Sequence, residues 1–294
     1  MVVSPLIIGL LLLAGLMHAS WNALLKADRS DRLTTFGVIM ITGSAMGLCV
    51  VLFVPMIEPG AWPYLFASVA IHMVYYAFLL KAYSYGDLGH TYPIARGLGP
   101  LLVALVSGRL IGEQLRVQDI VGVVLLSCGL IALAMPLRSV VPRPGSRHGL
   151  ATLFAVLTGV TIASYIIADG MGVRAAGPTF GHRLSYIAWL NVIEGPWLMA
   201  LALVLRPRAV FQHLRRTWWR GVIGGAIANS GYAIAIYALA LGPMAQVAAL
   251  RETSVLFGAL MGTLLLGEPF GRRRVAAAAV IVLGLVLMNG PRLL

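Results

Sequence analysis

"RGLGPLLVALVSGRLIGE", residues 96–113, and "RETSVLFGALMGTLLLGE", residues 251–268, agree at seven of 18 positions when the chain is slid by 155 residues. The shared residues are Arg96/Arg251, Leu101/Leu256, Ala104/Ala259, Leu105/Leu260, Leu110/Leu265, Gly112/Gly267 and Glu113/Glu268. Chance supplies leucine and alanine matches in any oily chain. It does not readily supply an arginine opening both stretches and a Gly-Glu closing both. The register continues to Gly129/Gly284, and a shift of 144 pairs Gly15, Ala19 and Ser20 with Gly159, Ala163 and Ser164. The chain reads as a duplication.

The duplicated material is apolar. Of 294 residues, 60% are hydrophobic and 11% charged, with a mean hydropathy of +0.90. Soluble domains carry about 25% charged residues, so the composition is that of a membrane protein. Ten segments meet or nearly meet the roughly 20 apolar residues a spanning helix needs: 3–25, 34–56, 62–84, 90–110, 118–136, 149–168, 183–205, 219–241, 243–265 and 274–290. The first lacks a positive leader and is read as a true span rather than a cleaved signal. Pro93 inside the fourth is expected to kink or delay it, and Gly242-Pro243 marks a tight turn before the ninth. The fold expected is all-α: ten transmembrane helices as two inverted five-helix repeats around a central cavity. The first repeat covers 1–137, the linker 138–148 and the second repeat 149–294. An odd number of helices per half inverts the second half, an arrangement common in transporters.

The net charge of +12 comes from 20 arginines and two lysines against ten acidic residues. A basic chain can signal nucleic-acid binding, but that needs a basic face on a folded module. Here the arginines gather in the joins, as in "RPRAVFQHLRRTWWR" (206–220) and "GRRR" (271–274), so no nucleic acid is expected. The joins after the first, third, fifth, seventh and ninth segments carry most of them. The positive-inside rule puts that side in the cytoplasm and both termini outside. Cys49 and Cys128 read as buried structural thiols. No Walker A, GxGxxG or HExxH pattern occurs, and neither a metal nor a cofactor is expected.

Ionisable residues inside apolar segments are costly and point to function. Glu194 lies midway along the seventh segment, three residues after Asn191. A carboxylate there can hold a cationic group or a proton, or can form a structural ion pair. Arg96 and Arg251 can grip a carboxylate from the two halves, or can lock broken backbone or a nearby glutamate. His72, Tyr75 and Tyr76 in the third segment, Tyr165 in the sixth, and Asn229 and Tyr232 in the eighth are candidate cavity walls. The competing reading for aromatic residues is the membrane interface. In "HASWNALLK" (18–26), His18, Trp21 and Asn22 add polar groups to the first segment. Asp169 is read as a helix-end residue, and Glu113 and Glu268 as starts of joins or caps of the next helix.

Taken together, the duplicated halves, the Gly-Glu after the fourth and ninth segments and "HASWNALLK" resemble the drug/metabolite transporter superfamily, in its ten-helix EamA-type branch. The resemblance covers nearly the whole chain. It implies a monomer in the inner (plasma) membrane with alternating access to a small solute such as an amino acid or amine, more often exported than imported. Proton coupling is suspected for several members. Four-helix relatives bear a proton-binding glutamate eight residues before a lysine, where this chain has His18 before Lys26. Many ten-helix relatives place both termini in the cytoplasm, opposite to the charge count. The partners expected are a small solute, protons and lipid, and no covalent chemistry is expected. Two rival classes stand beside the transporter: a membrane enzyme acting on a lipid-linked substrate, and a non-transporting scaffold or sensor.

Overall fold

A computed structural model describes residues 3–27, 31–86, 88–134, 147–266 and 271–290. All regular structure in these residues is helical: α1 (Pro5–Ala27), α2 (Arg32–Val51), α3 (Trp62–Tyr85), α4 (Leu88–Ile111), α5 (Val117–Ala134), α6 (His148–Ala175), α7 (Phe180–Leu205), α8 (Pro207–Arg216), α9 (Trp218–Leu241), α10 (Met244–Arg251), α11 (Thr253–Leu266) and α12 (Arg272–Asn289). Helices keep backbone hydrogen bonds within one segment, as lipid requires. Among the described residues eight stretches are long and apolar enough to cross a membrane, and α5 supplies a shorter apolar helix. The chain is a multi-pass membrane protein.

Local chemistry sets several helix starts. Asp31 caps α2, its carboxylate accepting the Thr34 N–H at 3.0 Å. Thr179 caps α7 by accepting the His182 N–H. Asp119, in the first turn of α5, accepts from the Arg116 N–H at 2.9 Å and from its guanidinium. Carboxylates and hydroxyls satisfy the orphan donors there.

Four local expectations are corrected. Pro93 does not delay α4, which starts at Leu88 and carries both Pro93 and Pro100 inside it. The ninth segment is two helices that meet at Glu252. There the Glu252 N–H reaches Ala249 O and the Val255 N–H reaches Glu252 O, tight three-residue turns in place of α-helical bonds. The join after α7 contains the short α8, with Val210 and His213 buried and Phe211 and Leu214 exposed. The cysteines are not buried: Cys49 and Cys128 both face out of the bundle. The Gly-Glu at 267–268 and most of the 138–148 linker lie outside the described residues.

α2 packs along α7, α5 along α12, α3 along α6, and α1 along α9. Glycines bring these helices close, and the close contacts recur with partners exchanged. A Cβ on Gly129 of α5 would meet Ala277 and Ile281 of α12; one on Gly284 of α12 would meet Gly122 and Leu126 of α5. Adding 155 to 122, 126 and 129 returns 277, 281 and 284. On the other side, Gly47 of α2 abuts Ala188 and Val192 of α7, while Gly195 of α7 abuts Met40 and Ser44 of α2. Here 40, 44 and 47 plus 148 give 188, 192 and 195. Small residues permit such backbone approach in lipid.

Candidate functional site

The polar residues of α3, α6, α7 and α9 meet inside the bundle. His72 of α3 is buried and stacks on Tyr165 of α6, ring centres 4.2 Å apart and 24° from parallel. Tyr75 packs edge-on against Tyr165 at 5.8 Å, and Tyr76 lies 5.2 Å from Tyr75. His72 Nε2 stands 3.1 Å from the Tyr232 hydroxyl of α9. That hydroxyl donates to Asp169 Oδ2 of α6 at 2.6 Å. Tyr186 of α7 donates to Asp169 Oδ1 at 3.4 Å. The expected helix-end role of Asp169 is therefore corrected: α6 continues to Ala175, and the carboxylate is 1% exposed. Glu194 of α7 is also buried and accepts the Tyr76 hydroxyl at 2.8 Å.

The two arginines of the repeat have different surroundings. Arg96 of α4 is buried with Glu252, its Nε 2.9 Å from Glu252 Oε2. The N–H is not aimed at that oxygen, so this contact is one of charge rather than a directed hydrogen bond. Arg96 Nη2 also donates to Ser254 Oγ at 3.2 Å. Arg251 is half-buried and makes no salt bridge among the described residues. Its guanidinium lies over the Tyr232 ring, 4.9 Å from the centre. Cation–π contacts leave the in-plane donors of the guanidinium available. Arg251, Asp169 and Tyr232 border a cavity of about 10 Å³, room for roughly one water. The centre of the bundle is thus filled largely by aromatic rings.

The remaining candidates make no hydrogen bond to this cluster among the described residues, although His18 lies near enough to Arg96 and Arg251 to feel their charge. His18 of α1 is half-buried, with the Trp21 indole N–H 3.4 Å from its Nδ1. Asn22 is exposed and donates to the His18 carbonyl of its own helix. Trp21 is buried edge-on against Phe36. Asn229 donates to Ile39 O of α2 at 3.0 Å and to Gly225 O at 2.7 Å, so it ties α9 to α2 instead of joining the aromatic cluster.

A larger cavity, about 480 Å³, opens at the bundle end where α4, α6 and α9 finish and α5 and α10 begin. Glu113 caps the start of α10, accepting the Met244 N–H at 2.9 and 3.1 Å, and pairs with Arg174 of α6 at 3.2 Å. Arg174 donates in turn to Leu239 O and Gly242 O at the end of α9. A carboxylate at a helix start and a guanidinium at a helix end both suit the backbone dipoles. Glu113 opens the join after α4, as expected, but the helix it caps is α10 and not the next one, α5. Glu113→Ala is expected to lower stability by about 1–2 kcal/mol, as loss of a helix cap does, with Glu113→Gln costing less. Thermal unfolding of the purified variants checks the order; equal losses would mean that the helix cap contributes nothing.

Comparison with known proteins fits this arrangement. The EamA-like transporter family matches residues 5–135 and again 149–290. The chain belongs to the EamA-like transporter family. The Pseudomonas aeruginosa protein described as "Uncharacterized protein PA1977" is 30% identical over 194 residues, 64% of this chain and 61% of that relative. The match therefore spans less than two thirds of the relative's length. A solved crystal structure of a protein superposes with a TM-score of 0.75 at 20% identity, covering 96% of this chain and 95% of the other. That likeness carries the fold alone. The family is described as one of transporters, and the multi-pass helical architecture agrees with that description.

Proposed function

We propose that this EamA-family protein is a monomeric, proton-coupled secondary transporter of the inner membrane that exports a small metabolite bearing an amino group, a carboxylate, or both. Its ten spans are two inverted five-helix halves, 1–137 and 149–294, joined by 138–148. The twice-matched family and the exchanged glycine contacts between α2 and α7 and between α5 and α12 support that symmetry. The arginine-rich joins, α8 among them, face the cytoplasm on the positive-inside rule, with both termini outside.

The observation that carries the reading is the chemistry of the centre. Among the described residues Arg251 forms no salt bridge with a carboxylate, and it borders the same small cavity as Asp169 and Tyr232. It is assigned the substrate carboxylate, with Arg96 tied to Glu252 as the fixed charge opposite. Glu194 and His18 are assigned the amine or the proton. Tyr75, Tyr76, Tyr165, His72 and Tyr232 form walls, with Trp21 and Asn22 beside His18 on α1 and Asn229 holding α9 to α2. In the alternating cycle the rings would part to admit the solute.

The test is uptake of a panel of amino acids, amines and carboxylates into liposomes containing the purified protein, with and without an imposed pH gradient. At least one solute should accumulate against its gradient when pH differs across the membrane. Arg251→Met should cut flux of a carboxylate-bearing solute about 10–100-fold, the loss of a charge-assisted contact worth about 1.5–3 kcal/mol. A solute carried equally well by Arg251→Met would remove Arg251 from the site, and no flux of any solute would remove the transporter assignment.

A further inference from the structure

Asp169 sits where α7 and α9 each bring a phenol to one carboxylate and α3 extends the chain of hydrogen bonds. From α9, the Tyr232 hydroxyl lies 2.6 Å from Oδ2. From α7, the Tyr186 hydroxyl lies 3.4 Å from Oδ1. From α3, His72 reaches the same Tyr232 hydroxyl with Nε2 at 3.1 Å. No lysine or arginine forms a salt bridge with Asp169 among the described residues. The other charged groups around it are Glu194 on α7, Arg251 on α10 and, from α4, Arg96, already tied to Glu252. Tyr165 on its own helix adds a phenol, and the Glu58 N–H donates to Ala176 O just past the end of α6, seven residues after Asp169.

Two features point to a proton. The first is charge. The central groups are two guanidiniums, Arg96 and Arg251, against three carboxylates, Asp169, Glu194 and Glu252. Ionised together they leave one negative charge uncompensated in a low-polarity interior, which is costly. One additional proton removes the excess. The second is hydrogen-bond accounting around His72. Its Nδ1 lies 2.9 Å from the Ser68 carbonyl, which only accepts, and 3.3 Å from the Ser68 hydroxyl. With Nδ1–H given to that carbonyl, the rest of the chain has two complete solutions. In one, Nε2 also carries a proton, donates to the Tyr232 oxygen, and Tyr232 donates to an ionised Asp169. In the other, a protonated Asp169 donates to the Tyr232 oxygen and Tyr232 donates to a bare Nε2. The two states differ by moving one proton the length of the chain through a hydroxyl that can give and receive. The same heavy-atom positions serve both.

We propose that Asp169, Tyr232 and His72 form a proton-binding relay, in which one proton is held at Asp169 or His72 and passes between them through the Tyr232 hydroxyl. The small cavity bordered by Asp169, Tyr232 and Arg251 puts this relay beside the assigned substrate charge, so solute arrival and proton release can be linked. Its purpose rests on the transporter reading; the site itself does not. Glu194 is then left for a substrate amine.

The test needs no substrate. Difference infrared spectra of the purified protein are recorded across a pH step, together with a count of protons released. The wild type should show a protonated-carboxyl C=O band at low pH or, if the proton rests on His72, an imidazolium signature. Asp169→Asn should abolish the carboxyl band and reduce the release by one proton, and Glu194→Gln should leave the Asp169 signal in place. Tyr232→Phe, which keeps the ring, should shift whichever band is present, because its hydrogen-bond partner is lost. This variant, with His72→Gln, keeps the test open if Asp169→Asn does not fold. A spectrum and proton count unaltered by Asp169→Asn, or by both Tyr232→Phe and His72→Gln, overturns the relay. Liposome flux measured beside it separates the two readings: flux without the Asp169–His72 signal leaves a transporter lacking this relay, and the signal without flux leaves the relay in a protein that does not transport.

Discussion

Arg96→Met is expected to destabilise the protein by about 3–5 kcal/mol, the cost of leaving one partner of a buried ion pair without the other. Both members of the Arg96–Glu252 pair are buried, at 8% and 2% exposure. The variant leaves Glu252 in an interior with no guanidinium in contact, and Ser254 loses its donor. Arg251, adjacent in sequence but turned to the Tyr232 ring, offsets part of the charge, so the lower end of the range is the expected result. Arg96→Met combined with Glu252→Met should restore most of the loss, because a packed apolar pair removes both desolvation costs. Thermal unfolding in detergent reads both. A single variant within about 1 kcal/mol of wild type would mean the pair is far better hydrated than its burial implies.

This pair also shows what the sequence could and could not reveal. Arg96/Arg251 and the Gly-Glu repeats identified the duplication because those residue types are rare inside apolar runs. They could not say which arginine would be paired. The two positions are equivalent in the repeat, but Gly97 follows one and Glu252 the other, and Glu252 reaches across to the opposite half. Asymmetry between equivalent positions is a property of contact, and no local pattern encodes it.

The same limit applies to Asp169. A carboxylate after "SYIIA" looks like the end of a span because charge normally ends one. The true end marker was Arg174, whose guanidinium reaches the last carbonyls of α9; the intervening Gly-Met-Gly-Val is apolar enough to extend the helix. What makes Asp169 tolerable inside is donors from α7 and α9, over 15 and 60 residues away in sequence. By contrast, His72, Tyr75 and Tyr76 are legible because their spacing puts them on one helix face: His72 and Tyr75 meet Tyr165, and Tyr76 meets Tyr75 and Glu194. Asn229 has the right spacing as well, but it bonds α2 backbone. A polar residue in a span signals only that it needs a partner, and a neighbouring backbone can be that partner. The short α8 gives no spanning signal because ten residues cannot cross a membrane, although Pro207 at its start and Val210, His213 and Leu214 at helical spacing mark it.

Gly195→Ala is expected to lower stability by about 2–3 kcal/mol, toward the upper end of the range for overpacking. A Cβ there would press on Ser44 Oγ and on the Met40 carbonyl of α2. Backbone cannot yield as a side chain does, so α2 and α7 must separate along their contact. That loses dispersion contacts, the main attraction between helices in lipid. Gly47→Ala presses on the Ala188 carbonyl at 2.6 Å and on Val192, the exchanged version of the same contact, and should cost a comparable amount. Gly9→Ala supplies the opposite sign. It lies in α1 with nothing within 4 Å of the new methyl, so only helix propensity acts, and a gain of about 0.5–1 kcal/mol is expected. Unfolding of the three variants under one set of conditions therefore gives two losses and one gain. If Gly195→Ala and Gly47→Ala differed by several-fold, the two contacts would not be mechanical equivalents, and the proposed two-fold relation between the halves would fail at the interface where it is most constrained.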